Sequence, residues 1–371
     1  MVHEIVIVGG GLGGVRVAKI LAKWGGGGPA SPAGRHHINI TLIDKSRYHT
    51  FYPNLYEVAT AHIPEVFGHM PLDFFNLKSS VIYPLEDIFL DDLNVSVLED
   101  EVIGVDFKTN KIRLKKFPAH NYNFLVLAAG SETNYFNIAG MSPNAFPLKG
   151  FFDALEVRNA VDEVFFRAPK NHIVKIAIGG GGFTGCELAG ELIGYMKKLA
   201  LVHGRPEYYG ECLIIEATEN LLGGASPALR KKAKARLEKN ACVAVDKNLR
   251  VLPYENVFGV GDITYCVDEA TGKSLPMTAS VAIREAKYTA ENIKRMILKK
   301  PLINYKPHHA GFIIPLGGKY ALLESHGLRI AGIIPWLVKQ TTSLHYWATL
   351  VGWMKAFRLW KKGLEVYLMN D

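Results

Sequence analysis

Only four cysteines occur in the 371 residues: Cys186, Cys212, Cys242 and Cys266. They form no CxxC pair and no zinc-like spacing, which excludes a disulfide scaffold and a structural zinc site; reduced thiols in a cytosolic setting are the plain reading. No run of about 18 uncharged apolar residues occurs, so no spanning helix is expected. Heptads and tandem repeats are absent, which excludes a coiled coil or a solenoid. Charged residues make up only 21%, which excludes a disordered composition. No charged leader, apolar signal core or small-residue cleavage site precedes the first apolar stretch, Ile5-Val6-Ile7-Val8.

What is present is a chain that is 49% hydrophobic and too long for one compact core, so two domains are expected. Its net charge of +8 suits nucleic acid, an anionic membrane surface or anionic cofactors, and charge alone does not choose among them. Many of the 36 glycines cluster, and two of the clusters have the same surroundings.

Residues 4–8 read as a buried parallel strand. A glycine loop follows, then a helix over Val15–Lys23, a Gly/Pro/Ser-rich loop over Gly25–Gly34, and a strand over Ile38–Ile43 that ends at Asp44. Within this βαβ unit Gly9-x-Gly11-x-x-Gly14 has a physical logic. The first glycine makes the tight turn, the second lets backbone approach a pyrophosphate, and the third lets helix and strand pack closely. The diphosphate then meets unpaired N–H groups at the positive helix end. Asp44 is placed to bind a ribose hydroxyl. The pattern recurs as a strand over Val174–Ile178, Gly180-x-Gly182-x-x-Gly185, a helix over Phe183–Leu199, and a strand over Cys212–Ile215 ending at Glu216. A carboxylate there accepts from a 2′-hydroxyl and repels a 2′-phosphate, favouring NADH over NADPH. The plainer reading is two glycine turns that serve only packing. Two complete strand–loop–helix–acid sets weigh against it.

Between the two units, Val95–Leu114 reads as a hairpin turning near Thr109-Asn110, and Phe124–Ala128 as an apolar strand. After the second unit come a helix over Pro227–Lys239, a strand over Val243–Val251, and Asn256-Val257-Phe258-Gly259-Val260-Gly261-Asp262. The Gly261-Asp262 pair resembles the one that binds the ribityl chain and pyrophosphate of FAD in two-dinucleotide flavoproteins. Its position implies that the chain returns to the first domain, with the second inserted.

With these residues the chain resembles the type II NADH dehydrogenases, the non-pumping NADH:quinone oxidoreductases. The resemblance covers nearly the whole length. It rests on Tyr48-His49-Thr50-Phe51-Tyr52-Pro53-Asn54-Leu55-Tyr56-Glu57-Val58-Ala59, on Tyr122–Gly130 with Ser131–Tyr135, on Ala145–Asn159, and on Gly181-Gly182-Phe183-Thr184-Gly185-Cys186-Glu187-Leu188-Ala189-Gly190-Glu191-Leu192. It implies FAD held by Gly9, Gly11, Gly14, Asp44, Pro53, Ala129, Gly130, Gly261, Asp262 and Ala279, and NADH held by Gly180, Gly182, Gly185 and Glu216. NADH then reduces the flavin, which passes two electrons to a membrane quinone. The cofactor supplies the chemistry and the protein the positioning. The resemblance gives Glu187 a catalytic place, orienting the nicotinamide or joining a proton path; the plainer reading is an acid complementing the helix dipole. Glu191 reads as structural.

The chain departs from the family pattern in two places. Ser280 and Arg284, on the quinone side, stand where the family has two glutamines. After Asn240 several dozen residues, an antiparallel hairpin and a returning strand, are missing. A nicotinamide domain without them would expose one face of its sheet.

Residues Leu344–Lys362 have helical spacing. Leu344, Trp347, Val351, Met354 and Phe357 lie on one side; His345, Thr349, Lys355, Arg358 and Lys362 lie on another. That suits a helix in a membrane interface, or one packed on the protein core or a dimer partner. The resemblance favours an anionic membrane surface at the cytoplasmic face.

The expected fold class is α/β: two Rossmann-like dinucleotide-binding domains plus a C-terminal amphipathic helical tail. Residues 1–140 and 241–330 form the FAD domain, 141–240 the inserted NADH domain and 331–371 the tail. No metal or nucleic acid is expected, and a homodimer is left open. A sulfide:quinone oxidoreductase is the alternative enzyme, with Cys186 and Cys266 as its candidate thiols. A flavin-binding protein with impaired NADH turnover is the other alternative.

Overall fold

The computed structural model describes residues 2–25, 37–62, 72–169, 171–205, 210–216, 243–268, 273–275, 278–307, 311–325 and 328–370. In chain order the elements that matter here are β1 (His3–Val8), α1 (Leu12–Gly25), β2 (Ile38–Asp44), α2 (Leu55–Ala59), α3 (Leu72–Val81), β3 (Val95–Glu99), β4 (Val102–Asp106), β5 (Lys111–Leu114), β6 (Phe124–Leu127), α4 (Phe151–Arg167), β7 (Lys175–Gly179), α5 (Phe183–Val202), β8 (Glu211–Ile215), β9 (Val257–Gly259), α6 (Ala279–Ile297), β10 (Phe312–Pro315), β11 (Ala321–Ser325), β12 (Leu328–Gly332), α7 (Ile333–Val351) and α8 (Trp353–Asn370). They fall into two compact units. The first holds residues 1–50, 83–131 and 231–308; the second holds 51–82, 132–230 and 309–371.

The first unit is built on a parallel sheet in the order β9-β6-β1-β2-β3. Its middle strand is apolar at consecutive positions because it is covered on both faces. Ile5, Val6 and Ile7 are all buried. Val6, Ile43, Leu125 and Val257 share a cluster with Ile112 and Leu114 of the β4–β5 hairpin. On the helical side α1 lies against α6, and a Cβ on Gly13 would sit 2.6 Å from Val260.

Two expectations are corrected here. Val95–Glu99 is not a hairpin arm: it pairs in parallel with β2, from Ile40↔Val95 to Asp44↔Glu99. Asp100 ends it, its buried carboxylate accepting the N–H groups of Glu101, Lys116 and Phe117 at 2.7–3.1 Å. An alternating pattern cannot tell a sheet-edge strand from a hairpin arm; only β4 and β5 form the hairpin. Nor is Val243–Val251 one strand. Asp246 accepts from Asn248 N–H and Arg250 N–H, Leu249 takes φ +65°, and Val251 folds back onto Val245.

In the second unit β7 and β8 pair in parallel, from Lys175↔Glu211 to Gly179↔Ile215. No third strand joins them among the described residues, and Leu213 and Ile215 are 48% and 64% exposed. The expected helix over Pro227–Lys239 and the junction after Asn240 lie outside the described residues. The antiparallel sheet β10-β11-β12 packs against α7. A Cβ on Gly190 would lie 2.6 Å from the Leu316 backbone, so α5 passes close to the end of β10.

The C-terminal stretch is two helices, not one. Gly352 takes φ +80° between α7 and α8. Trp336, Trp347 and Leu350 of α7 are buried, and Tyr346 stacks on Phe51 at 5.2 Å. The packed-helix reading therefore holds for α7. The expected common face breaks after it: Trp353, Met354 and Phe357 are 64%, 81% and 52% exposed. Among the described residues no helix is long and apolar enough to cross a membrane.

Candidate nucleotide-binding sites

The carboxyl ends of β1, β2, β6 and β9 converge on one edge of the first unit's sheet, the edge where ligands bind in open parallel sheets. Gly9 follows β1 with φ +110°, and its N–H donates to the Ile43 carbonyl at 2.7 Å. A Cβ on Gly9 would lie 2.1 Å from the Ala128 carbonyl oxygen, and one on Gly14 1.9 Å from that of Gly9. These two glycines are steric requirements. Gly10, a free position in the motif, is enclosed as well, since its Cβ would meet Leu85 at 2.8 Å. Gly11 accepts from Val15 N–H at 3.1 Å, and the first turn of α1 turns its remaining amides outward, as every helix start does.

Asp44 accepts the N–H of Gly10 at 2.5 Å and that of Ser46 at 2.7 Å. From the other side His49 Nδ1 reaches the Gly10 carbonyl at 2.8 Å. A carbonyl only accepts, so Nδ1 carries the proton. Complete burial keeps the ring neutral by lowering its pKa to about 4.

Ala129 and Gly130 follow β6, and Gly130, at φ +72°, has open space beside it. Ser131 Oγ donates to Asp262 at 2.9 Å, tying the end of β6 to the Gly261-Asp262 turn. Gly261 N–H donates to Glu285 at 2.7 Å. Glu285 and Thr278 line a small cleft with Gly261, Asp262, Thr264 and Val281. Ala279 begins α6, and its neighbour Ser280 is bonded to Thr278 at 3.1 Å. Arg284 donates to the Lys306 carbonyl at 3.0 Å and lies over the Tyr288 ring.

Glu285 lies on the buried stripe of α6 and is 1% exposed. Burial raises its pKa to about 7, against the opposing hydrogen bonds from Gly261 and Thr264. A raised carboxylate pKa means that the folded state holds a proton the unfolded chain has lost. Stability from this group is therefore present below about pH 4.5 and lost as pH rises through 7. Glu285→Gln keeps an acceptor for Gly261 and removes the buried charge. We expect it to be roughly 2–3 kcal/mol more stable than the parent at pH 8 and nearly equal at pH 4.5, read by urea unfolding at both pH values. An equal stability at pH 8 would contradict this.

The second unit repeats the device. Gly180 takes φ +110° and its N–H donates to the Ile215 carbonyl at 2.8 Å. A Cβ on Gly185 would lie 1.9 Å from the Gly180 oxygen. Gly181 N–H donates to Glu216 at 2.7 Å, and the Cys186 thiol to the Gly181 carbonyl at 3.5 Å. Gly180 and Gly182 have open space beside them. Each loop thus offers a helix start, a cradle without side chains and an acid on a loop amide, and that donor set fits a dinucleotide diphosphate.

Glu187 is the fifth residue of α5, just past the first turn where it was expected; burial raises it to about 8, so it carries a proton at neutral pH. Pro53 belongs to the second unit, in the 3-10 turn Tyr52–Asn54. The same unit holds a buried pair that sequence reasoning missed: Lys339 of α7 lies 3.0 Å from Glu57 of α2 and also bonds Tyr56 Oη. Burial pulls the Lys339 ammonium down to about 7. Its helical register with Trp336, Ser343, Tyr346 and Leu350, all buried, was the available signal. For His49 there was none.

The chain is similar to several known proteins. The model of the pyridine nucleotide-disulphide oxidoreductase family matches residues 3–240. The type II NADH:quinone oxidoreductase NdhA of Mycobacterium tuberculosis is 26% identical over an alignment of 430 residues, covering 95% of this chain and 84% of that protein. That alignment is longer than the 371 residues here, so the relative has positions with no counterpart in this chain. A structure of Plasmodium falciparum NDH2 in complex with NADH has a TM-score of 0.76 at 16% identity, covering 98% of both chains. The sulfide:quinone oxidoreductase of Aquifex aeolicus has a TM-score of 0.66 at 18% identity, covering 94% of this chain and 92% of that one. Sequence match, parallel sheet and paired glycine loops agree: the chain belongs to the pyridine nucleotide-disulphide oxidoreductase family.

Proposed function

We propose that the protein is an FAD-dependent NADH:quinone oxidoreductase working at a membrane surface. The carrying observation is the duplicated loop, in which an acid ending the second strand accepts a glycine N–H at 2.5 Å in one unit and 2.7 Å in the other. Residues 1–140 and 241–330 bind FAD, and 141–240 bind NADH. Bound FAD supplies the two-electron relay between nicotinamide and quinone. Glu216 selects NADH, because its carboxylate would repel a 2′-phosphate. Glu187, protonated at neutral pH, orients the nicotinamide or holds a proton for the two-proton reduction of quinone. Ser280 and Arg284 face the quinone side, with Arg284 anchored by Lys306.

The sulfide-oxidising alternative needs two thiols acting together. The Cys186 thiol is engaged with the second glycine loop, and Cys266 is buried in the first unit beside Leu249 and Tyr305. Those placements favour NADH as the reductant.

Residues 331–371 supply the membrane contact. Support comes from Ile333, Ile334, Leu337, Trp353, Met354 and Phe357, all at least half exposed, with Lys355, Arg358 and Lys362 exposed on α8. Apolar side chains beside cations suit an anionic interface at the cytoplasmic face of the cell membrane. The test is NADH oxidation by the FAD-loaded protein, with a quinone dissolved in anionic liposomes and with a water-soluble analogue. We expect turnover with both, and a loss of roughly tenfold or more with liposomes alone in Trp353→Glu/Met354→Glu/Phe357→Glu. No NADH-dependent quinone reduction in either assay would refute the reading, and an unaffected triple variant would refute the membrane part.

A further inference from the structure

Five of the six residues from Gly9 to Gly14 are glycine: Gly9, Gly10 and Gly11 run consecutively and Gly13-Gly14 follow Leu12. Such a stretch has the greatest backbone freedom a chain can have. A diphosphate cradle needs the opposite, amides already aimed at the ligand. The loop's own side chains cannot supply this, so the restraint has to come from elsewhere in the chain.

We propose that His49 is a positioning residue for dinucleotide binding, fixing the Gly10–Gly11 peptide so that the Gly11 N–H is turned toward the cofactor. The inference rests on FAD being the ligand of the first unit. In a trans peptide the C=O and the following N–H point in opposite directions. Holding the Gly10 carbonyl from the protein interior, through His49 Nδ1–H at 2.8 Å, therefore turns the Gly11 amide away from the interior. The preceding peptide is fixed by Asp44 on the Gly10 N–H and by the close approach of Gly14 to the Gly9 oxygen. Asp44 and His49 together hold both polar groups of Gly10.

The second loop carries the same two-sided arrangement from unrelated residues. Glu216 takes the Gly181 N–H at 2.7 Å and Cys186 reaches the Gly181 carbonyl at 3.5 Å. An imidazole N–H is the stronger donor and a thiol the weaker one. The first loop, whose ligand must stay bound through every turnover, has the stronger donor. The second, whose ligand must leave, has the weaker. His49 is also 0% exposed and its ring is neutral, so it offers one N–H and one orientation.

The test compares His49→Phe, which keeps a planar ring without the donor, with His49→Asn, which keeps an N–H near the Nδ1 position. We expect flavin-stripped His49→Phe to bind FAD at least tenfold more weakly than the parent, and His49→Asn to bind within threefold. Both flavin-free variants should melt together. FAD binding by His49→Phe within twofold of the parent would overturn the proposal. So would an equal loss in both variants. A third arm needs neither FAD nor the Phe variant. The imidazole 15N–1H correlation of flavin-free parent protein, identified by its absence in His49→Asn, should show an Nδ1–H tautomer. An Nε2–H tautomer would overturn the positioning role. A parent protein with the Nδ1–H tautomer and no FAD affinity would instead refute the cofactor reading.

Discussion

Replacing Gly14 by alanine is expected to empty the first site of FAD. The added Cβ would lie 1.9 Å from the Gly9 oxygen and 3.1 Å from its carbonyl carbon. These are backbone atoms that no rotamer change can move, so either α1 or the loop must shift. The loop is held by Asp44 and His49 and cannot follow without breaking the hydrogen bonds that shape it. We expect purified Gly14→Ala to lose flavin absorbance and to bind added FAD roughly a hundredfold more weakly, close to 2.7 kcal/mol. The equivalent change in the second loop, Gly185→Ala, meets the Gly180 oxygen at 1.9 Å. It should leave FAD bound and remove the response to NADH. Retained yellow colour in Gly14→Ala would contradict the assignment of the first loop.

Lys339→Met should cost about 3–5 kcal/mol of stability, because it leaves the Glu57 carboxylate buried without its cation. Both side chains are about nine-tenths buried and 3.0 Å apart. The pair joins α7 to α2 within the second unit, so its loss should release the helix that carries Trp336 and Trp347. Urea unfolding followed by tryptophan fluorescence reads the change. Lys339→Met/Glu57→Leu, which removes both charges, should recover most of the loss. A single variant within 1 kcal/mol of the parent would show that the pair carries little.

The glycine loops were legible in the sequence because the geometry admits no alternative at Gly9, Gly14, Gly180 and Gly185: a Cβ on Gly9, Gly14 or Gly185 would lie 1.9–2.1 Å from a backbone oxygen, and Gly180 takes φ +110°. Asp44 and Glu216 were legible because a parallel strand ends at the ligand edge of its sheet. What was not legible depends on partners distant in sequence. His49 lies 39 residues from Gly10 and Lys339 lies 282 from Glu57, and neither separation leaves a periodic trace. Val95–Glu99 alternates as a hairpin arm would, and only its pairing with Ile40–Asp44 makes it a sheet edge. The apolar spacing across Gly352 continues in sequence although the helix does not, since one residue at φ +80° redirects everything after it. Glu285 could have been found: it shares a helical stripe with Ala282, Ala286, Thr289 and Ile293, all buried, and an acid on such a stripe calls for a partner.

The central claim is that one chain holds a flavin and delivers the electrons of NADH to it. Anaerobic stopped-flow mixing of the FAD-loaded protein with saturating NADH tests it most directly. The account predicts loss of the oxidised flavin absorbance with NADH, a markedly slower loss with NADPH because of Glu216, and none in Gly185→Ala. Flavin that stays oxidised in the parent protein under saturating NADH would contradict it.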